Sequence, residues 1–414
     1  MRGSSAERLS SVEHGSDGVT VREAGESFWQ DGGGRDWDCW VPDGHFNLSQ
    51  RFLKCAQHIQ IEGFHQVPIL LQDGRGQPVG VAATYRNTID GADLGNPRLQ
   101  QAVHLVRGAA PRFLKYGVIE VGNPAGVGFP VRSSLTSAEA ITTVARWAQA
   151  EAERQRASLV VIRDIETAAA PGAVEVLRQG GFVPSPLPAA FVVPVPFASF
   201  NDYKAHMRAR YRARLAGCMK ETASLRVEVL EQFASLAPEL TTLWRTLYDR
   251  ATQYRRLVLT EGFFASTSDL PEAKVMLLRR PDDSIAGFGL LFLDGPMLRF
   301  SCTGFSREAA LEEGVYFRLL YEVVRYAIEH GCKAVNMGMT TAGPKMSVGA
   351  QPVHVQAWIW HRSALQRQGL GWLTQNLMKP PPPVERNVFR EDVPLFQDPA
   401  LAELPVSRRM ASCT

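Results

Sequence analysis

The sequence predicts an α/β protein with mixed sheets, organised as two related units in tandem. Three observations carry this. Apolar runs of strand length alternate with amphipathic stretches of helical period. The order strand, loop, helix, strand occurs once in each half of the 414 residues. A chain of that length also exceeds one typical core. The units are placed at 26–196 and 197–378, after a disordered tail at 1–25. A Pro-rich linker and C-terminal tail take 379–414, and after Arg362 the pattern gives way to a surface tail.

In the first unit, 48–56 reads as a short helix capped by Asn47 or Ser49. Gln66 to Leu71 and Pro78 to Tyr85 read as strands joined by the hairpin turn Asp73-Gly74-Arg75-Gly76. A strand from Val118 to Gly122 runs into the Gly-rich loop from Asn123 to Phe129. A helix capped by Ser137 follows, with Ile141, Val144, Ala145, Ala148 and Ala152 on one face. Then come a strand at Leu159 to Arg163, a helix ending at Gly180-Gly181, and a strand at Phe191 to Val195. The Pro-rich stretch 184–196 marks the seam.

The second unit opens on a basic helix from Phe200 to Arg214, with Lys204, Arg208 and Arg212 on one face. A helix near 235–254 precedes strands at Ala273 to Leu278 and Ile285 to Leu293. The strand at Met297 to Ser301 then leads through a loop to a helix at 315–330 and a strand at Ala334 to Met337. A short Gly-bounded segment, Gly343 to Ala350, carries one lysine. Trp358 and Trp360 share one face of a last strand, as a packed inter-domain face rather than a base-stacking platform.

Composition sets outer bounds. With 45% hydrophobic and 21% charged residues the chain reads as a soluble globular protein. A net charge of +3 argues against wholesale nucleic-acid coating and leaves room for a local basic patch. The six cysteines include no CxxC pair and no metal-ligand spacing, so no metal is expected. Buried reduced thiols in a cytoplasmic protein are the expectation. No apolar run approaches the ~18 residues of a membrane span, and the N-terminus lacks a signal-peptide pattern.

Three places together resemble the Gcn5-related acyltransferase (GNAT) fold in its Fem-like, peptidoglycan-related double form. They are the basic helix at 203–214, the helix and strand at 313–338, and Lys345-Met346-Ser347-Val348-Gly349-Ala350-Gln351-Pro352. The last is similar to a Lys-x-x-x-Gly-Ala-x-Pro segment of that group. The resemblance covers about Phe200 to Arg362, and the first half follows it more loosely. It implies transfer of an acyl or aminoacyl group to an amine acceptor by direct attack. The co-substrate is acyl-CoA or aminoacyl-tRNA, with no tightly bound cofactor. The first donor predicts binding of free coenzyme A, the second predicts sensitivity to ribonuclease and salt. A small-molecule amine is the expected acceptor, in bacterial natural-product or cell-wall-related metabolism. A non-catalytic binding protein on the same fold is the alternative.

For catalysis the candidates are Lys345, to polarise a carbonyl or meet a phosphate, Tyr316, to protonate a leaving group, and Glu313, as a base at a helix start. For donor phosphate they are Arg208 and Arg212 as forks, and Gly126 and Gly128 as backbone cradle. Each has a plainer reading: a surface lysine, a core tyrosine, a solvated basic face, a tight turn. Neither half carries the fuller Gln/Arg-x-x-Gly-x-Gly/Ala pattern of coenzyme A binders.

Overall fold

The computed structural model describes residues 12–13, 18–30, 32–41, 44–91, 97–124, 128–166, 170–251, 257–309, 313–369, 386–391, 393–394 and 396. The first half gives β1 (Val12–Glu13), β2 (Thr20–Glu23), α1 (Glu26–Gln30), α2 (Gly33–Asp38), α3 (Gln50–Ala56), β3 (His65–Gln66), β4 (Ile69–Gln72), β5 (Pro78–Ala82) and β6 (Thr84–Asp90). It continues with α4 (Pro97–Arg107), β7 (Lys115–Val121), β8 (Val131–Ser133), α5 (Ser137–Gln155), β9 (Leu159–Ile165), α6 (Pro171–Gln179), β10 (Val183–Pro186) and β11 (Ala190–Pro194). The second half gives α7 (Phe200–His206), α8 (Ala209–Glu221), β12 (Arg226–Leu230), α9 (Ala237–Tyr248), α10 (Glu261–Thr267), β13 (Ala273–Arg279), β14 (Ile285–Asp294) and β15 (Met297–Phe305). It ends with α11 (Glu313–Glu329), β16 (Ala334–Asn336), α12 (Ala342–Ser347), β17 (Gln351–Val353) and β18 (Gln356–His361).

Each half contains one antiparallel-to-parallel crossover. β6 and β7 run antiparallel, α5 crosses over, and β9 returns parallel to β7. In the second half β12 to β15 form an antiparallel meander, α11 crosses over, and β16 returns parallel to β15. The crossover helices form for local reasons. Thr136, rather than the expected Ser137, caps α5 in a capping box with Glu139. Leu319, Leu320, Val323, Val324 and Ala327 recur at helical spacing on α11 and are fully buried against the sheet.

The halves exchange strands. In one sheet the order is β10-β18-β9-β7-β6-β3, and in another β12-β13-β14-β15-β16-β11-β17. The strand beside each parallel pair therefore comes from the opposite half. β11, read from the sequence as closing the first unit, pairs with β16 and β17 of the second. β18 pairs with β9 and β10 of the first. The pairing Val183↔Ile359 to Pro186↔Gln356 resumes as Ala190↔Val353 to Val192↔Gln351, one two-stranded ribbon passing through both sheets. Its prolines 184 and 186 sit on the edge strand β10, where a missing N–H is tolerated. Trp358 and Trp360 thus enter the core of the first half, packed with Ile162, Ala148 and Leu177.

A polar pin adds to the ribbon. The Asp294 carboxylate accepts the Gly44 and Phe46 backbone N–H groups at 2.9 and 3.1 Å, and Arg299 Nε donates to it at 2.7 Å. Arg299 also donates to the Gly44 carbonyl at 2.8 Å. His45 Nδ1 lies 2.7 Å from Arg132 Nη2. Burial, then the charges of Arg132 and Arg299, hold the His45 imidazole far below its usual range, so it is neutral and Nδ1 accepts.

Three sequence expectations are corrected. Thr20–Glu23, placed in the disordered tail, is a strand paired with β4. The basic helix at 200–214 is two helices, because Met207 and Arg208 are extended and Met207 bridges Phe389. The tail is not all surface, since Val388 and Phe389 are 2% and 5% exposed.

Because the two sheets that hold the parallel pairs each take a strand from the other half, halves separated after residue 196 are expected to fold only together. Residues 1–196 and 197–414 should be insoluble alone and recover a soluble 1:1 complex on co-expression. A cooperative thermal transition from 197–414 alone would show that β11 is dispensable.

Candidate active site

The site begins where a parallel pair stops. β15 and β16 are paired only at Met297↔Ala334, Leu298↔Val335 and Arg299↔Asn336. Beyond that point the strands diverge. On β15, Cys302 lies opposite Leu290 and Phe300 opposite Leu291, which leaves Ser301 as an extra, bulged residue. A bulge bends its strand and sharpens the local twist. On the other side the chain stays with β11: Met337 donates its N–H to the Phe191 carbonyl at 2.8 Å, and Phe191 donates to the Gly338 carbonyl at 3.1 Å. Gly338 has φ 72°, a turn that glycine makes at little cost. The result is an opening in the ladder between β15 and the segment after β16.

Lys345 points into this opening from α12. A Cβ built on Gly338 would lie 3.9 Å from Lys345 Nζ and 3.9 Å from the Phe300 carbonyl oxygen, so both atoms face the same space. Lys345 is only 4% exposed. Its pKa is lowered to about 7 by burial, with no charged neighbour contributing among the described residues. The lysine therefore exchanges its proton near neutrality. The plainer reading of Lys345 as a surface residue does not describe it.

Tyr316 stands in the first turns of α11. It packs edge-on against Phe305 and hydrogen-bonds the Thr341 side chain, and Thr341 (φ 62°) starts α12. Burial pushes the phenol up to about 12, partly opposed by the Thr341 bond, so it is a proton donor near neutral pH. Tyr316 and Lys345 are thus linked through one short segment. Glu313 opens α11, but its side chain lies outside the described residues, as do residues 310–312.

The expected phosphate grip by Arg208 and Arg212 meets a different arrangement. Arg208 Nε donates to the Phe389 carbonyl at 2.9 Å, and Arg212 Nη1 donates to the Met207 carbonyl at 3.2 Å. The helix break at Met207 exposes a backbone oxygen that Arg212 satisfies, while Arg208 satisfies one on the segment that pairs with the break. Neither residue is brought to Lys345 by a shared contact. Gly126 lies outside the described residues. The Gly128 N–H points at the buried Asp164 carboxylate at 3.5 Å, so the chain supplies its own anion there. Burial raises the Asp164 pKa, opposed by Arg163. The opening of the first half, beyond Val121↔Ile162, is also filled: the Arg163 side chain packs across Gly122 and meets Glu120 at 3.4 Å.

Thr341, the Phe300 carbonyl and the Ser301 bulge escaped the sequence reading. A bulge leaves no letter pattern, and Thr341 gains a role only from the left-handed turn it occupies. Among the described residues no group of three or more His, Cys, Asp or Glu is arranged to hold a metal ion. No described helix is long and apolar enough to cross a membrane.

No family model matches the chain. Among solved structures it is similar to FemX, at TM-score 0.53 and 13% identity, over 82% of this chain and 98% of FemX. It is also similar to the C-terminal DUF2156 domain of a protein from Agrobacterium fabrum described as a lysylphosphatidylglycerol synthetase. That match has TM-score 0.50 and 13% identity, over 82% of this chain and 94% of the domain. The chain therefore has a Fem-like, tandem GNAT-type fold. By sequence it is 24% identical, over 225 residues, to a Mycobacterium tuberculosis protein described as 8-amino-7-oxononanoate synthase 2. The match takes in 53% of this chain and 29% of that relative, so the chain spans under a third of the curated relatives it matches.

A buried ammonium without a counter-charge costs stability. Its folded pKa is below the unfolded one, so the cost is full below about pH 7 and fades as pH rises toward the ordinary lysine value of 10.5. Lys345→Met is expected to stabilise the fold by on the order of a few kcal/mol at about pH 6. The gain, read as melting temperature, should shrink by about pH 10. A gain independent of pH would show that the ammonium is not what strains the site.

Proposed function

We propose that the chain is an N-acyltransferase that passes an acyl or aminoacyl group to an amine. The observation that carries this is Lys345: an ammonium group buried with no charged neighbour among the described residues, at the end of an interrupted parallel strand pair. Such a group is stabilised when negative charge develops beside it, as on the oxygen of a carbonyl under attack.

The donor carbonyl lies in the opening beside Phe300, its oxygen toward Lys345 Nζ. The acceptor amine attacks in its neutral form, and a C–N bond forms while the oxygen takes up negative charge. The C–S or C–O bond to the carrier then breaks, and Tyr316 gives the leaving group a proton. The proton lost by the attacking nitrogen restores the phenol through solvent. No covalent intermediate on the enzyme is required. The second half holds the donor and the first half the acceptor. The filled opening at Gly122 and the Gly128 amide already directed at Asp164 favour that division.

The carrier is coenzyme A or a tRNA, as the resemblance to Fem-like transferases implies. Ribonuclease treatment of the purified protein with a cell extract separates the two. Loss of amide formation, with a steep salt dependence, identifies tRNA. Retention with added acyl-CoA identifies the thioester. Turnover with neither donor class, by protein free of bound ligand, would remove the catalytic reading and leave a binding module.

For the enzyme, kcat/KM is expected to rise with pH as the acceptor amine loses its proton. For an acceptor whose pKa lies above 7 the rise should level off near pH 7, where Lys345 loses its own proton, and the fall should set in above the acceptor's pKa. Lys345→Ala should lower kcat ~10²–10³-fold and abolish the falling limb. Equal turnover by this variant would remove the lysine from the mechanism.

A further inference from the structure

We propose that residues 386–391 form a strap that positions Lys345, with Phe389 and Arg386 as its two positioning side chains. Its effect on turnover rests on the acyl-transfer reading, whereas its effect on the lysine does not.

α12 has only six residues and cannot hold its own geometry. Its end is seated from outside. Gly349 follows it at φ 97°, and the Phe389 ring lies 2.5 Å from where a Cβ on Gly349 would stand. Tyr203 donates its hydroxyl to the Val348 carbonyl at 2.8 Å. Arg386 Nη1 donates to Ser347 Oγ, which in turn donates to the Gly343 carbonyl at 2.9 Å. One guanidinium is thus tied to both the first and last turns of the helix that carries the lysine.

The strap is itself anchored where α7 and α8 separate. Phe389 bridges Met207, Arg208 N–H donates to the Val388 carbonyl, and Arg390 N–H donates to the His206 carbonyl, the last two at 2.9 Å. Arg208 Nε holds the Phe389 carbonyl. The Phe389 ring fills the space between Phe197, at 5.3 Å, and Tyr203, at 5.8 Å. The extended break in the basic helix thereby has a purpose: it offers backbone groups to the strap. Arg208 acts on the site through the strap.

The test reads the lysine directly. Trace acetylation with acetic anhydride, quantified by mass spectrometry of the Lys345 peptide across pH, gives the midpoint of its reactivity. In the wild-type chain the midpoint should lie near 7. In Phe389→Ala, a change without charge, α12 loosens and water reaches Nζ, so the midpoint should rise by at least ~1 pH unit. Phe389→Leu should give a smaller rise in the same direction. Arg386→Lys should stay closer to wild type than Arg386→Ala. In an amide-forming assay, Phe389→Ala should lower kcat ~10-fold with KM changed less than ~2-fold.

A folded Phe389→Ala protein with the wild-type midpoint overturns the strap. If that variant fails to fold, a wild-type midpoint in both Phe389→Leu and Arg386→Ala overturns it equally. A raised midpoint in a chain that turns over no donor supports the strap and removes the acyl-transfer reading. An unchanged midpoint, with turnover lost in Lys345→Ala, removes the strap and leaves acyl transfer standing.

Discussion

The separation of β15 from β16 after Arg299 and Asn336 is the constraint on which the site depends. Two adjacent parallel strands normally continue their ladder until one ends, because unpaired backbone groups in a sheet are costly. Here both chains leave the ladder with alternatives in hand. β15 keeps its antiparallel bonds to β14 through the Ser301 bulge, and residues 337–338 keep theirs to Phe191. The opening is therefore a gap between two satisfied strands rather than a defect. Lys345 faces it from α12, and Tyr316 of α11 is tied to the start of α12 through Thr341.

The same arrangement explains why the halves exchange strands. Residues 337–338 can follow a partner away from β15 only if a strand stands on their far side. That strand is β11, supplied by the first half. The first sheet takes β18 in return. The ribbon of β10–β11 with β17–β18, pinned by Asp294, Arg299 and the 44–48 segment, makes the relation between the halves part of the folding core. In the proposed transfer, this would fix the distance between a donor held in one half and an acceptor held in the other, the main contribution a scaffold makes to a reaction between two bound molecules.

Two openings of common origin have been treated differently. In the first half the Arg163 cation lies over Gly122 against two carboxylates, Glu120 at 3.4 Å and Asp164 at 3.1 Å, so its counter-charge comes from within the chain. In the second half Lys345 is buried at the opening with no counter-charge among the described residues. Destabilising groups of this kind concentrate at functional sites because the strain is relieved when the ligand arrives.

The sequence by itself determined the elements whose cause is local. The period of α11, the Gly-stopped α6, the turn between β4 and β5 and the order of both crossovers were all legible, as were the single lysine after Gly343-Pro344 and a cap of α3 at Asn47 or Ser49, of which Ser49 makes the bond. What the tertiary structure decided was each partner of long sequence separation. A strand's letters record that it is buried but not beside whom, so β11 and β18 read as belonging to the half that encodes them. Phe389 looked like part of a tail because its pocket is assembled from residues nearly 200 positions away. The depressed pKa of Lys345 was equally invisible, since desolvation is a property of everything packed around a group and of nothing written next to it in the chain.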